Sequence, residues 1–526
     1  MTSFPPPPSE DGCETANRTT IDVEILGRKR PEMFKTRAAE LGFCFSLLAS
    51  MMMEYTNSMQ EYFISGFNII LPSLATALDI PPDSQTWPAS VFSLVTGAFL
   101  LPFGRAADIY GGGIVFVCGL LWYTIWSLIG GFSQNYLMLN FCRSLQGFGP
   151  AAFLPSGVML LGSIYRPGPR KNLVFSLYGA CSPMGFFLGI FLSGLSGQYL
   201  PWNWDFYIGT ILLAIVTVIA FFTVPLGRYA TKSDTKHGTA KMDWLGFITI
   251  VPGLILVVFG ITDSSHAPNG WATPYIYITF IIGGLLLCTA FYIEGWVAEQ
   301  PLLPFDLFAS KYMKPLCVSL FFSYGVFGIY LFYASFYIET IVGATPLLTT
   351  AWFAPMAIGG LVLATVGGFT LHHLSGTLLL AFSTMGYLIS ALLFALMPAQ
   401  PNFWAWVFPA MVCATIGIDI SYSVSNVFIT TSLPSHQQGT AGGLVNCLVF
   451  VGISFFLGFA DFAASSTKHL GVKESYQVAF WFAVGIAGFA LVLIVFGIRI
   501  DKAKSDLTVD EKRELHKEAL RSSDIV

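Results

Sequence analysis

Apolar residues along this chain come in long runs separated by short polar breaks, not at the three- and four-residue spacing of an amphipathic surface helix. A run of about 20 apolar residues is long enough to cross a bilayer as an α-helix. Within lipid, such a helix satisfies its own backbone hydrogen bonds. The pattern therefore predicts an all-α integral membrane protein with many spans.

We count fourteen spans in the sequence. Their predicted bounds are 41–77, 87–106, 112–132, 137–163, 173–196, 204–226, 244–262, 274–296, 314–339, 346–370, 376–397, 403–432, 437–463 and 476–498. Residues 1–40 carry a proline run and several charges, so we expect a disordered cytosolic tail there. The charged residues 499–526 form a second predicted cytosolic tail.

The composition supports the same conclusion. Hydrophobic residues make up 54% of the chain and charged residues 11%, whereas soluble domains carry about 25% charged residues. The net charge is −4, and basic residues do not cluster with aromatic ones, so we expect no nucleic-acid partner. The nine cysteines show no CxxC spacing, which predicts neither a disulfide framework nor a metal site.

The placement of Lys and Arg tests the span count. With a cytoplasmic N-terminus, the predicted cytoplasmic loops, the span ends that adjoin them and the two tails hold 23 of the 26 basic residues. Cytoplasmic loops carry an excess of Lys and Arg in helical membrane proteins. The distribution therefore favours fourteen spans with both termini in the cytoplasm.

The segment GRAADIYGG lies between the second and third spans, at the predicted cytoplasmic face. Gly104 and Gly111 allow the chain to turn and helices to approach closely. Asp108 can pair with Arg105 or with a nearby helix N-terminus, and such a contact could lock one conformation. The alternative is an ordinary tight turn.

The fourth span contains an arginine, Arg143, followed by Gln146, Gly147 and Gly149. A cation inside hydrocarbon is costly and needs partners, so it indicates a functional site. The alternative is that Arg143 lies near the outer end of its span and reaches water.

Small residues recur along the fifth span: Gly179, Ser182, Gly185 and Gly189, with Pro183 among them. Small residues let another helix pack closely, and proline adds a kink. The pattern predicts a close-packed face, and we hypothesise that this kinked face moves during a conformational cycle.

Several carboxylates lie inside predicted spans. Glu54 and Glu61 are seven residues apart on one face of the first span, and Asp419 lies deep in the twelfth. Burial disfavours the charged form of a carboxylate, which suits reversible proton binding. Glu54 has a competing interpretation as a solvated residue near the cytosolic end. Three further carboxylates fall near span ends, where we expect solvation: Glu294, Glu339 and Asp461.

No motif for nucleotide hydrolysis or covalent catalysis is present. The sequence lacks GxxxxGK[ST], HExxH and GxSxG. We therefore expect neither an ATP-driven pump nor a membrane enzyme, and no cofactor.

These segments together resemble the major facilitator superfamily. GRAADIYGG is similar to that family's loop motif at Gly104, Asp108 and Gly111, although Gly112 and Gly113 stand where a basic pair usually follows. RSLQGFGPA is similar to the span-four motif at its arginine, its glutamine and both glycines, and the resemblance implies a role for that arginine in proton coupling. GACSPMGFFLG resembles the span-five antiporter motif, with serine where glycine normally precedes the proline.

Fourteen spans with these motifs resemble the fungal drug:proton antiporter group, which has two extra central helices. FCRSLQGFGPAAFLPS and GIDISYSVSNVFITTSLPSHQQGTAGGLVN look like its aminotriazole-resistance branch. The resemblance implies two six-helix bundles, 41–226 and 314–498, that rock around a central cavity. Residues 227–313 would supply cytosolic loops and the two extra helices.

The resemblance implies proton-coupled efflux of small organic compounds such as drugs, toxins or secondary metabolites. We expect Glu61 and Asp419 to be cavity carboxylates, Arg143 to take part in coupling and Asp108 to act as the conformational lock. The expected partners are a small-molecule substrate, protons and the lipid bilayer, for a monomer in the plasma membrane rather than the vacuole. The alternatives are proton-coupled uptake, for example of an iron chelate, and a transporter-like membrane sensor.

Overall fold

A computed structural model describes residues 37–164, 169–224, 241–303, 305–309, 311–370, 374–431 and 438–501. Internal contacts divide the chain after Leu48. All contacts discussed below lie within residues 49–526. Residues 1–36 and 502–526, which hold most of both predicted tails, fall outside the described residues. Residues 37–40 are helical, so the first helix begins earlier than the predicted bound of 41.

The described residues form helices and no strands. The α-helices are α1 Arg37–Ala77, α2 Trp87–Tyr110, α3 Gly112–Gly130, α4 Tyr136–Gln146, α5 Phe148–Ile164, α6 Pro169–Tyr199, α7 Asn203–Thr223, α8 Trp244–Asp263, α9 Pro274–Tyr292, α10 Met313–Phe336, α11 Pro346–Thr370, α12 Gly376–Ala395, α13 Phe408–Thr431, α14 Gln438–Ser466 and α15 Val472–Gly497. Three π-helical segments adjoin α9, α10 and α13: Ile293–Val297, Tyr337–Ile341 and Phe403–Val407. Four 3-10 turns lie in connections: Pro82–Ser84, Gly270–Ala272, Phe305–Ala309 and Lys468–Leu470.

Every predicted span coincides with helical structure. Eleven helices of the described chain are long and apolar enough to cross a membrane by length and composition. The helices at the first, fourth and fifth predicted spans are not among these eleven. An all-α membrane protein is therefore confirmed, and the count of fourteen stays a prediction.

Two boundaries differ from the sequence-based expectation. The fourth span is two helices, α4 and α5, with a turn at Gly147. Pro150 has no N–H to donate to the carbonyl of Gln146, which breaks the helical ladder there. The segment predicted as a loop at 104–111 is helical as far as Tyr110, and only Gly111, with φ 101°, makes the turn. Glycine adopts that backbone angle at little cost.

Helix packing joins the first and second halves of the chain. Helices α2 and α5 pack against α14, and α6 packs against α11. Helices α8 and α9 pack against each other, and α8 also contacts both α2 and α14. The two extra helices are thus attached beside the α2–α14 contact.

Large apolar side chains lie on the outer faces of the helices as well as in the core. Phe222 is 75% exposed and Phe496 is 84% exposed, while Tyr62 and Tyr123 are fully buried. Water would oppose such an apolar surface, whereas hydrocarbon accepts it. This distribution fits a helix bundle surrounded by lipid.

Candidate functional site: a buried arginine and two facing carboxylates

Arg143 lies in the last turn of α4 and is 2% exposed. Its Nε donates to the carbonyl of Pro88 at 3.2 Å, and a terminal guanidinium nitrogen donates to Oε1 of Gln146 at 2.7 Å. The Gln146 amide in turn donates to the Ser127 hydroxyl at 2.7 Å. Arg143 is therefore held inside the protein by neutral acceptors from α2 and α4, and Ser127 of α3 fixes the glutamine that accepts from it.

Aromatic rings cover the Arg143 guanidinium. Its central carbon lies 4.0 Å from the centre of the Phe67 ring and 4.4 Å from that of Phe92. A ring face attracts a cation, by about 2 kcal/mol when both are desolvated. Among the described residues, no carboxylate forms an ion pair with Arg143. Asp205 acts on it electrostatically at longer range.

The two glycines that follow Arg143 allow α5 to approach its neighbours. A methyl group on Gly147 would lie 2.9 Å from the Phe92 carbonyl oxygen. One on Gly149 would lie 2.6 Å from Cβ of Tyr123. The Tyr123 hydroxyl is buried without a hydrogen-bond partner among the described residues, and Arg143 and Glu61 both act on it electrostatically. Gly149 therefore lets α5 pack against Tyr123.

Sequence analysis missed Asp205, in the first turn of α7. It is 1% exposed, and its Oδ1 accepts hydrogen bonds from Tyr62 at 3.2 Å and from Ser193. The side chain thus ties α1, α6 and α7 together. The available signal was an aspartate opening an apolar span, between Trp204 and an apolar run that begins at Phe206.

Glu61 of α1 and Asp419 of α13 bring carboxylates from the two halves of the chain near each other. Both side chains are partly exposed, and Asp419 acts on Glu61 electrostatically. The Gln60 amide donates to Glu61 Oε1 at 3.2 Å. The Asp419 Oδ2 atom is buried without a hydrogen-bond partner. Two like charges in one poorly solvated place favour binding of a proton or another cation.

Helix α6 lies beside both Glu61 and Asp419. Ser182 interacts with Glu61 and accepts a hydrogen bond from Asn57 at 3.3 Å. A methyl group on Gly360 would lie 3.1 Å from Cβ of Pro183 and 3.0 Å from Asp419 Oδ2. The part of α6 that contains Ser182 and Pro183 therefore lies beside the carboxylate pair.

The small-residue face of α6 packs against α1. A methyl group on Gly185 would lie 2.4 Å from Cα of Ser58, and one on Gly189 would lie 2.7 Å from the Tyr62 carbonyl oxygen. The two backbones are close enough that any side chain would separate them. Gly179 lies on the same helix, outside the residues whose side-chain surroundings are described.

Arg105, in the segment predicted to lock one conformation, contacts the chain just before α8 and just after α9. Arg105 donates from Nε to the carbonyl of Lys241 at 3.1 Å, and from a terminal nitrogen to Oε1 of Gln300. Its other terminal nitrogen lies 3.8 Å from Asp108 on the same helix. Gly104 faces Pro155 at ordinary contact distance. In this conformation Arg105 joins α2 to the segments that flank α8 and α9.

The expected solvation of carboxylates at span ends is wrong for Glu294 and Asp461, which are both 6% exposed. Neighbouring segments cover them. Asp461 accepts from Ser265 at 2.6 Å and lies 4.0 Å from Nε2 of His266. Burial lowers the pKa of His266, and nearby Asp263 opposes that shift. The His266 ring is held between Asp263, Asp461 of α14 and Trp87.

Comparison with known proteins identifies the family of this fold. The family model described as Major Facilitator Superfamily matches residues 43–458. The chain is similar to solved structures of an auto-inhibited POT family peptide transporter (TM-score 0.62, 15% identity, 88% of this chain and 99% of that one) and of the nucleoside transporter NupG (TM-score 0.55, 14% identity, 86% and 97%). At these identities the likeness concerns the fold.

Three curated relatives cover most of the chain. A Saccharomyces cerevisiae protein named low affinity ammonium transporter is 35% identical over 81% of this chain and 83% of its own length. The efflux pump terJ of Aspergillus terreus is 31% identical over 81% and 83%. The aminotriazole resistance protein of Saccharomyces cerevisiae is 30% identical over 88% and 85%.

Proposed function

The chain belongs to the Major Facilitator Superfamily and is a membrane transporter of small molecules, not an enzyme, and we propose that it exports small organic compounds in exchange for protons. Relatives named as an efflux pump and as a resistance protein support the direction of transport. We further propose that it acts as a monomer in the plasma membrane, with two six-helix bundles at 41–226 and 314–498.

The observation that carries the proposal is the approach of Glu61 and Asp419 from opposite halves of the chain. Each is partly exposed, so a substrate or a proton can reach it. Asp419 Oδ2 has no hydrogen-bond partner among the described residues, and its charge opposes that of Glu61. Proton binding removes this repulsion. A substrate that needs the same carboxylates would displace the proton, which is the linkage that antiport requires.

Arg143 supplies the second part of the proposed coupling. Neutral acceptors and rings hold it, so a carboxylate that moves closer would gain a strong interaction. We propose that deprotonated Glu61 moves toward Arg143 past Tyr123 in another state of the cycle. The positive charge of Arg143 then favours the ionised form of Glu61. When Glu61 moves away into an apolar environment, its protonated form is favoured.

A second candidate is movement of a small cation such as ammonium. The relative named for ammonium transport is 35% identical, and a pair of carboxylates also attracts a small cation. The two candidates differ in substrate size and in their response to an imposed proton gradient.

The test compares cells with and without the protein on a panel of toxic organic compounds, with accumulation measured directly. Export predicts lower accumulation in cells that carry the protein, and loss of the difference on addition of a protonophore. Higher accumulation would favour uptake, for example of an iron chelate. Altered accumulation of methylammonium alone would favour the second candidate. No change for any compound would favour a sensor.

A further inference from the structure

Two carboxylates meet at the end of the extra helices that is nearest Arg105. Asp243 precedes α8, and Glu294 lies in the π-helical end of α9. A methyl group on Gly246 would lie 2.4 Å from Oε1 of Glu294 and 2.5 Å from Oδ2 of Asp243. The two oxygens therefore converge on one point above a residue that has no side chain.

The remaining oxygen of each carboxylate is bonded to the backbone. Asp243 Oδ1 accepts from the Gly246 N–H at 2.9 Å, which caps α8. Glu294 Oε2 accepts from the Leu303 N–H at 3.0 Å. The converging oxygens, in contrast, are both buried without a hydrogen-bond partner, and Glu294 as a whole is 6% exposed.

Nearby cations do not neutralise the pair. Within the described residues, neither carboxylate forms an ion pair with Lys or Arg. Among the charged side chains described nearby, Arg105 is bonded to the Lys241 carbonyl and to Gln300, and Lys241 and Glu299 are exposed. Two carboxylate oxygens that face each other, covered and without hydrogen-bond partners, are costly if both carboxylates are charged.

We propose that Glu294 holds a proton on Oε1 and donates it to the converging Oδ2 of Asp243, so that the two carboxylates together form a proton-binding site. Both oxygens are covered from water-sized molecules, so a hydrated metal ion does not fit against them, whereas a proton needs no room. The protonated member donates to the other, which satisfies both oxygens at once. This site is separate from the Glu61–Asp419 pair and does not depend on the proposed export.

The site makes the contact between the start of α8 and the end of α9 sensitive to pH. Loss of that proton leaves two like charges that push the start of α8 away from the end of α9. Lys241 and Gln300, which hold Arg105 of α2, lie two and six residues from the pair along the chain. An alkaline medium on that side would therefore loosen the attachment of α2 to the extra helices.

The test uses purified full-length protein with Glu294→Gln, Asp243→Asn and, as a matched control, Glu299→Gln. Gln and Asn keep the size of the side chain and donate in place of the proton, and Asn remains a good N-cap. We expect the infrared band of a protonated carboxylic acid to lose intensity at neutral pH in either pair variant and to stay unchanged in the control. The wild-type Tm should fall from neutral to alkaline pH, and this fall should be reduced in both pair variants.

Two results would overturn the proposal. One is an unchanged carboxylic acid band together with an unchanged pH dependence of Tm in whichever pair variants fold. The other is stabilisation of the wild type by magnesium or calcium that a chelator reverses and that Glu294→Gln abolishes, since this would assign the site to a metal ion.

Discussion

The contact between α1 and α6 predicts an unusual sensitivity to one added methyl group. In Gly185→Ala the new carbon would lie 2.4 Å from Cα of Ser58. The nearby atoms belong to the Ser58 backbone, so no rotation of a side chain can relieve the overlap. The two helices must move apart by about 1 Å to restore ordinary contact.

The cost of that movement sets the expected effect. Overpacking a close-fitting interior destabilises by about 1–3 kcal/mol, and a contact between two backbones lies toward the upper end of this range. Separation of α1 and α6 also displaces Glu61 from Ser182. We therefore expect a lower Tm for purified Gly185→Ala and a loss of transport that exceeds the loss of folded protein.

Gly284→Ala is the matched control, because a methyl group on Gly284 of α9 would meet no atom within 4 Å. It should leave Tm and transport unchanged within error. A Gly185→Ala protein with wild-type Tm and transport would refute the close approach of α1 and α6 on which this reasoning depends.

Three further predictions follow from the site. Arg143→Ala should reach the membrane yet lose transport, because it removes a buried positive charge that a mobile carboxylate could meet; normal transport with normal surface expression would restrict Arg143 to packing. Arg105→Ala removes the bonds to Lys241 and Gln300 and should increase proteolysis of the segment before α8 in membranes; an unchanged cleavage pattern would show that these bonds do not hold it. A reporter fused after Val526 should be accessible only from the cytosol, and protection from cytosolic protease in sealed vesicles would contradict the predicted topology.

The overall architecture could be predicted from the sequence because a bilayer imposes simple rules. Every apolar run of sufficient length must be helical in lipid, and each predicted span coincides with helical structure. The glycine-rich motifs identified the family for a different reason. Only glycine permits the close helix contacts at Gly147, Gly149 and Gly185.

The partners of polar residues could not be predicted in the same way. The sequence shows that Asp205 lies near the end of a span, but not that Tyr62 and Ser193 surround it. The same limit applies to Glu294 and Asp461, where position in the span suggested solvation. Burial at those places depends on connecting segments that fold over the helix ends, and no periodic pattern records such contacts.

The central claim is that Glu61 carries or controls the transported proton. The most direct measurement uses proteoliposomes with an imposed pH gradient and a compound from the sensitivity panel, and compares wild type, Glu61→Gln and Glu54→Gln. Glutamine keeps the shape of the side chain and its contacts with Gln60 and Ser182 but cannot ionise. We predict that Glu61→Gln still binds and exchanges the compound but no longer accumulates it in response to the gradient, whereas Glu54→Gln does. Accumulation by Glu61→Gln against a gradient, with unchanged pH dependence, would contradict the claim and make Asp419 the next candidate.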